Sequence, residues 1–231
     1  VVTERHCPKV IVRLDRCTVP HAISPQCAVT AGERGPGTGI ILVGLAGDNH
    51  MVFTTISTER LALRELAASD AQRIFEYRFH PEISRFQSWG TRGKDEIESH
   101  IRRQSTIEPG TPAAWYQVGI ALRSSGELVG DCGFQVLEAE PRQAELGIAL
   151  APEYQAQGYA TEGLRAFLGY LLVTLGKHRV FGSVDPRNLR SVRLMERVGM
   201  RKEAHLVQRL LFKGEWVDDV LFALLASEWR R

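Results

Sequence analysis

From Met51 onward the chain alternates between apolar runs of period two and apolar runs of helical period. Arg60–Leu66 (RLALREL), with Leu61 and Leu63 two apart, reads as a strand. Ser69 or Asp70 then caps a helix whose apolar bulk is Ile74, Phe75 and Tyr77. In Lys94–Gln104 (KDEIESHIRRQ), Ile97 and Ile101 stand four apart and Glu98 is placed to meet Arg102, which predicts a second helix. Trp115–Arg123 and Leu128–Val136, joined by the turn SSGE, predict a hairpin, and Ala144–Leu150 predicts a further strand. Thr161–Gly176 is apolar around more than one side, so it is expected as a buried helix. Arg179–Asp185 reads as a strand, and Asn188–Gly199 as a helix opened by Asn and closed by Gly. The runs AHLVQRLLF (Ala204–Phe212) and WVDDVLFALL (Trp216–Leu225) close the chain as an antiparallel pair. This order implies an α/β (α+β) fold, a mixed sheet flanked by helices.

Residues 1–50 break the pattern. Pro8, Pro20, Pro25 and Pro36 interrupt them, and AGERGPGTG (Ala31–Gly39) is rich in turn formers, although KVIVRL (Lys9–Leu14) suits a short strand. The expected organisation is an N-terminal extension over 1–50, loosely ordered, and a compact domain over 51–231. A translation start at Met51 is a further reading of the same break.

With 44% hydrophobic and 24% charged residues, a chain of this length builds a core that needs no disulfide or metal. The formal net charge of +2 gives no case for nucleic acid or an anionic membrane as partner. Cys7, Cys17, Cys27 and Cys132 include no CxxC pair, so free thiols in a reducing cytosol are expected, and no metal site. The longest apolar run, Gly39–Gly47, is far short of a bilayer span, and a cytoplasmic protein with no membrane association is the expectation.

The stretch PEYQAQGYATEG (Pro152–Gly163) joins a strand to the long helix through Gly158. It lacks the Gly-Lys-Ser/Thr ending of a phosphate-binding Walker loop and the glycine spacing of a dinucleotide-binding turn. Two readings remain: a plain strand-to-helix turn, or an anion cradle built from the unpaired amides of a helix start, with Gly158 admitting close approach and the small Ala156 and Ala160 keeping it clear. An extended row of amides suits a diphosphate better than a single carboxylate.

The surroundings of this turn carry a resemblance. QAQGYA (Gln155–Ala160), between the strand ELGIAL and a long helix, resembles the Q/R-x-x-G-x-G/A signature of the GCN5-related N-acetyltransferase (GNAT) superfamily. DPRNLRSVRLMERVGM resembles the family's N-x-x-S-x-x-x-x-E-K-x-G-F element, and STERLALRELAASDA resembles the opening of its RimJ/RimL-like branch. The likeness runs over about residues 53 to 225.

The resemblance implies a mostly antiparallel central sheet and transfer of an acetyl group from acetyl-CoA directly to a primary amine, such as a protein N-terminus or an antibiotic, without a metal. It implies that Gln155, Ala156, Gln157, Gly158, Tyr159 and Ala160 hold the pyrophosphate, while Ile148, Ala149 and Leu150 pair with the pantetheine arm like an added strand. Amides near Ala149 would polarise the thioester carbonyl. Asn188 would touch the cofactor arm, cap its helix, or do both. Glu145 is the candidate base that deprotonates the amine, with a surface carboxylate as the alternative. Many relatives protonate the departing thiolate with a tyrosine where this chain has Met195, which leaves Ser191, four residues earlier, as the nearest hydroxyl on the same helix face. Phe86 and Trp89 are candidate acceptor-binding residues, with core packing as their alternative role. A homodimer is left open, and a non-catalytic CoA-binding module is the competing reading.

Overall fold

The computed structural model describes residues 52–87 and 93–230. The 1–50 extension with its Lys9–Leu14 strand, the cysteines within it, and Trp89 lie outside the described residues.

Eight strands form one sheet. A two-residue strand β1 (Ile56–Ser57) turns into β2 (Leu61–Glu65), where Leu61 and Leu63 are buried and their neighbours are not. Three helices follow: α1 (Ala71–Phe79), the short α2 (Pro81–Ser84) and α3 (Lys94–Gln104). The hairpin β3 (Trp115–Leu122) and β4 (Leu128–Val136) leads to β5 (Gln143–Leu150), then α4 (Tyr159–Gly169) and β6 (Arg179–Val184). Helix α5 (Leu189–Arg197) and the long hairpin β7 (Arg201–Phe212) and β8 (Glu215–Leu225) complete the domain. The strand order is β1-β2-β3-β4-β5-β6-β8-β7. Every neighbouring pair is antiparallel except β5 and β6, which the crossover through α4 makes parallel.

Two predicted elements take a different form. No side chain caps α1; instead Ala68–Asp70 winds a single 3-10 turn, and the Asp70 carboxylate accepts the Ala67 amide and Arg64 Nη1, each at 2.7 Å. The apolar helix predicted to Gly176 is α-helical only to Gly169. It then widens into a π-turn over Tyr170–Thr174, where the Leu175 amide reaches back to the Tyr170 carbonyl at 2.9 Å.

The sheet buries both faces. On one, Phe167 and Leu168 of α4 and Leu171 of the π-turn pack with Phe134 and Leu146 of the sheet, all nearly or wholly inaccessible. On the other, α1 and α3 bring Ile74, Tyr77, Ile97 and Ile101 against Leu128 and Ala149. Each side chain of this size removed from water contributes roughly 1.5–3 kcal/mol.

A polar network lies within the second layer. Asp131 of β4, 1% exposed, accepts from the Tyr77 hydroxyl, from the Arg78 guanidinium (Nε to Oδ2, 3.0 Å) and from the Gln117 amide. Gln117 in turn accepts from the Trp115 indole at 2.6 Å, and its backbone exchanges bonds with Gln104 of α3. Burial first, and then the neighbouring Asp131 charge, push the Tyr77 phenol well above its ordinary range, so it stays a donor. The network ties α1 and α3 to the strand that lies beside β5.

Candidate functional site

The sheet opens where β5 leaves β6. The parallel pairing runs from Gln143 opposite Arg179 to Glu145 opposite Phe181 and goes no further, although β5 continues to Leu150. On its other side β5 stays in register with β4 through Leu150. The Ala151 amide bonds to Val129 and the Gln143 carbonyl to Leu137, so by alternation the odd-numbered residues of β5 point their backbone groups at β4. The groups that face the opening therefore belong to Leu146, Ile148 and Leu150, while those of Ala149 face β4. The predicted trio thus divides: Ile148 and Leu150 present the open strand edge, and Ala149 lines the α1–α3 face with its methyl group.

Glu145 stands at the apex of this wedge, the last residue of β5 paired on both sides, to Gln135 and to Phe181. Its side chain shares a sheet face with Gly147 and Ala149. On that face the Trp115 indole lies across Gly133 and Gly147. A Cβ on Gly133 would come within 2.5 Å of the indole nitrogen, and one on Gly147 within 3.4 Å of the ring, so the first glycine is obligatory for this seat.

The turn below the wedge is shaped for an anion. Gly158 is the N-cap of α4 with φ +87°, in the left-handed region that glycine enters without steric cost. Ala156 adopts φ +61°, which costs an L-residue on the order of 1 kcal/mol and marks the segment as held by its surroundings. The amides of Gln157 to Thr161 find no acceptor among the described residues, as expected of a helix start. Gln155 braces the approach: its Nε2 donates to the Leu150 carbonyl at 3.1 Å, and its Oε1 accepts from Arg190 at 2.7 Å. Gln157 donates to the Glu153 carbonyl at 2.7 Å, and Tyr159 meets Tyr154 edge to face at 6.2 Å.

Arg60 and Thr58, which the chain pattern did not single out, hold this turn from the connection between β1 and β2. Arg60 Nη1 donates to the Gln157 carbonyl at 3.0 Å and its guanidinium stacks on Tyr159 at 4.4 Å. That contact fixes the direction of the carbonyl that heads the run of unpaired amides. The Glu162 carboxylate, in the first turn of α4 where it complements the helix dipole, accepts from the Thr58 hydroxyl at 2.6 Å, the Arg60 amide at 2.8 Å and Arg60 Nε at 2.7 Å. Burial alone would raise the Glu162 carboxyl, but these donors together hold it below the usual carboxylate range. Glu153, the other carboxylate beside the turn, is engaged by Arg73. Neither opposes a bound phosphate with an unbalanced charge.

Across the wedge, Asn188 is the N-cap of α5, its side chain accepting the Ser191 amide at 3.2 Å. Met195 is buried in the core, where a Cβ on Gly182 would lie 3.7 Å from its terminal methyl. The tyrosine position of many relatives is thus filled by packing. Ser191, one turn earlier, is half-buried, and its hydroxyl makes no hydrogen bond among the described residues.

Phe86, expected as an acceptor-binding residue, is half-buried just beyond α2, its ring under the Arg85 guanidinium at 5.1 Å. The β7–β8 turn reaches the same segment, Lys213 Nζ donating to the Ser84 carbonyl at 2.6 Å. Among the described residues, no group of His, Cys, Asp and Glu side chains is arranged to hold a metal ion, and no helix is long and apolar enough to cross a membrane.

Similarity to known proteins agrees with this geometry. Residues 60–201 match the Acetyltransferase (GNAT) domain family. The chain is 31% identical over 180 residues to the uncharacterised N-acetyltransferase YoaA of Bacillus subtilis, covering 75% of this chain and 98% of that one. It is 27% identical over 180 residues to the ribosomal protein uS5-alanine N-acetyltransferase of Escherichia coli, covering 75% and 92%. A crystal structure of a GNAT-family acetyltransferase from Bacillus anthracis superposes with a TM-score of 0.67 at 26% identity, covering 76% of this chain and all of that one. An open strand edge, an amide turn at a helix start and a family match spanning both lead to one conclusion: the chain belongs to the GNAT family of acetyltransferases and is an N-acetyltransferase that uses acetyl-CoA.

Proposed function

We propose that the chain transfers the acetyl group directly to a primary amine, with Glu145 as the base that removes the amine proton. The single observation that carries this reading is the wedge between β5 and β6 with a carboxylate at its apex. The pantetheine arm is an extended amide chain, and the backbone of Ile148, together with the Leu150 amide, offers it the hydrogen bonds of a missing strand, the Leu150 carbonyl being taken by Gln155. The amides of Gln157 to Ala160 receive the diphosphate, braced by Gln155 and Ala156. Asn188 contacts the arm from the start of α5 while keeping its cap.

An amine is protonated at neutral pH and must lose a proton before it attacks a thioester. Glu145 takes that proton, directly or through one water, and an amide of the open edge donates to the thioester oxygen as charge builds there. Ser191 is the hydroxyl that returns a proton to the leaving thiolate. A route through an acylated cysteine has no support: Cys132, the one cysteine among the described residues, is buried, and that burial pushes its thiol well above the ordinary range.

Two acceptor classes suit this site: a protein N-terminal amine and a small-molecule amine. The E. coli relative's named substrate, alanine of ribosomal protein uS5, favours the first. Phe86 and Trp89 are proposed to flank the acceptor. Initial rates measured while both acetyl-CoA and an amine are varied test direct transfer. Intersecting lines in the double-reciprocal plot are expected, whereas parallel lines would establish a covalent enzyme intermediate and overturn the proposal.

A further inference from the structure

We infer that the exposed basic row of α5, Arg193 and Arg197, is the seat of the ribose 3′-phosphate of CoA, separate from the turn that takes the diphosphate. The inference rests on the acetyl-CoA reading above and adds a subsite to it.

The segment Gln155–Ala160 contains no lysine or arginine, so amides and helix dipole alone face the diphosphate there. A further phosphate, a monoester dianion at neutral pH, calls for cations outside the turn. Two nearby guanidiniums are already engaged: Arg60 by Glu162, and Arg190 by Gln155 and by Glu82 at 3.4 Å.

Helix α5 is pinned along the turn at two points. Arg190 touches Gln155 at one end, and Arg197 Nη1 donates to the Thr161 hydroxyl at 3.2 Å at the other. Arg193 falls between them at the three- and four-residue spacing that puts all three on one helix face. It is exposed and makes no hydrogen bond or ion pair among the described residues. Arg197 is held by a hydroxyl alone, which leaves most of its donor fork and its whole charge unbalanced.

A third guanidinium, Arg165, stands one turn beyond Thr161 on α4 and lines with Arg197 a cavity of about 180 Å³. The carboxylate of that cavity, Glu228, is taken up by Arg201 and by the Leu225 amide. The cavity thus adds Arg165 to the α5 row, and the Arg197–Thr161 bond ties it to the first turn of α4; against these three guanidiniums the α5 segment itself sets one carboxylate, the exposed Glu196. Paired arginine forks match a phosphate monoester in both charge and geometry.

Calorimetric titration with CoA and with dephospho-CoA, which lacks only the 3′-phosphate, tests this without any requirement for turnover. The chain is expected to bind CoA about tenfold or more tightly than dephospho-CoA. Arg193→Gln and Arg197→Gln each narrow that ratio, and the double variant brings it close to one while dephospho-CoA affinity stays within about twofold of the parent. Equal affinity of the unaltered chain for the two ligands overturns the inference and leaves the acetyl-CoA reading standing. A double variant that loses both ligands alike also overturns it, since the arginines would then serve the shared part of the molecule. Binding of neither ligand overturns the underlying reading as well.

Discussion

Arg60, in the bend that leads into β2, and Glu162 in the first turn of α4 stand 102 residues apart in sequence and are joined by a 2.7 Å charged hydrogen bond. The bond ties the β1–β2 connection to the turn proposed to hold the diphosphate, and through Arg60 Nη1 it also fixes the direction of the Gln157 carbonyl. On that proposal, cofactor affinity is set partly by residues that touch no cofactor.

Arg60→Gln should raise the KM for acetyl-CoA about three- to tenfold and leave kcat within about twofold, because the turn loses its brace while the wedge keeps its shape. Arg60→Lys, which keeps the charge but loses the two-pronged contact and the stacking on Tyr159, should recover little of the loss. Steady-state kinetics with acetyl-CoA as the varied substrate separates these outcomes from a general loss of folded protein.

The same contact has a pH signature. The Glu162 carboxyl is held below its ordinary range in the folded chain, so its contribution is fully present above the unfolded value of about 4.3 and lost as pH falls through the folded value. The stability difference between the parent and Glu162→Gln should be constant from neutral pH down to about pH 5 and shrink below that. Thermal midpoints of the two proteins across acid pH supply the measurement.

Gly158→Ala should destabilise the fold by about 1 kcal/mol, since φ +87° penalises any Cβ and the new atom would lie 3.1 Å from Arg60 Nη2. Gly158→Asp should add a loss of acetyl-CoA affinity of about tenfold or more by setting a carboxylate against the phosphates. Calorimetry with CoA distinguishes the second effect from the first.

Asp131→Ala should cost about 3–5 kcal/mol in urea unfolding, the expected result of stripping one partner from a buried ion pair. Because Asp131 stands opposite Ala149 in register, the loss should also loosen β5 at the wedge and lower kcat.

Much of this architecture was legible along the chain, because its strands and helices carry clean periods. The helix Lys94–Gln104 has the limits its pattern predicts, and Glu98 meets Arg102 at 3.2 Å as its spacing requires. What escaped were relations between distant segments. Nothing near Arg60 in sequence announces Glu162. Asp131, in the run LVGDCGF, reads as a polar residue on a wet strand face, whereas α1 brings Tyr77 and Arg78 down to bury it. The parting of β5 from β6 is equally silent: β5 stays apolar from Leu146 to Leu150, and only three-dimensional packing shows that it stops pairing with β6 at Glu145. The strand-to-helix turn at Gly158 was legible because its glycine and small residues are local, and its braces were missed because they are not.

The most direct test of the account is free-thiol release from acetyl-CoA in the presence of a panel of primary amines, comparing the parent chain with Glu145→Gln. The parent should turn over steadily with at least one amine. Glu145→Gln should lose about a hundredfold or more in kcat at neutral pH, with a KM for acetyl-CoA within about twofold of the parent. Undiminished kcat in Glu145→Gln, or tight acetyl-CoA binding by the parent with no turnover of any amine, would contradict it.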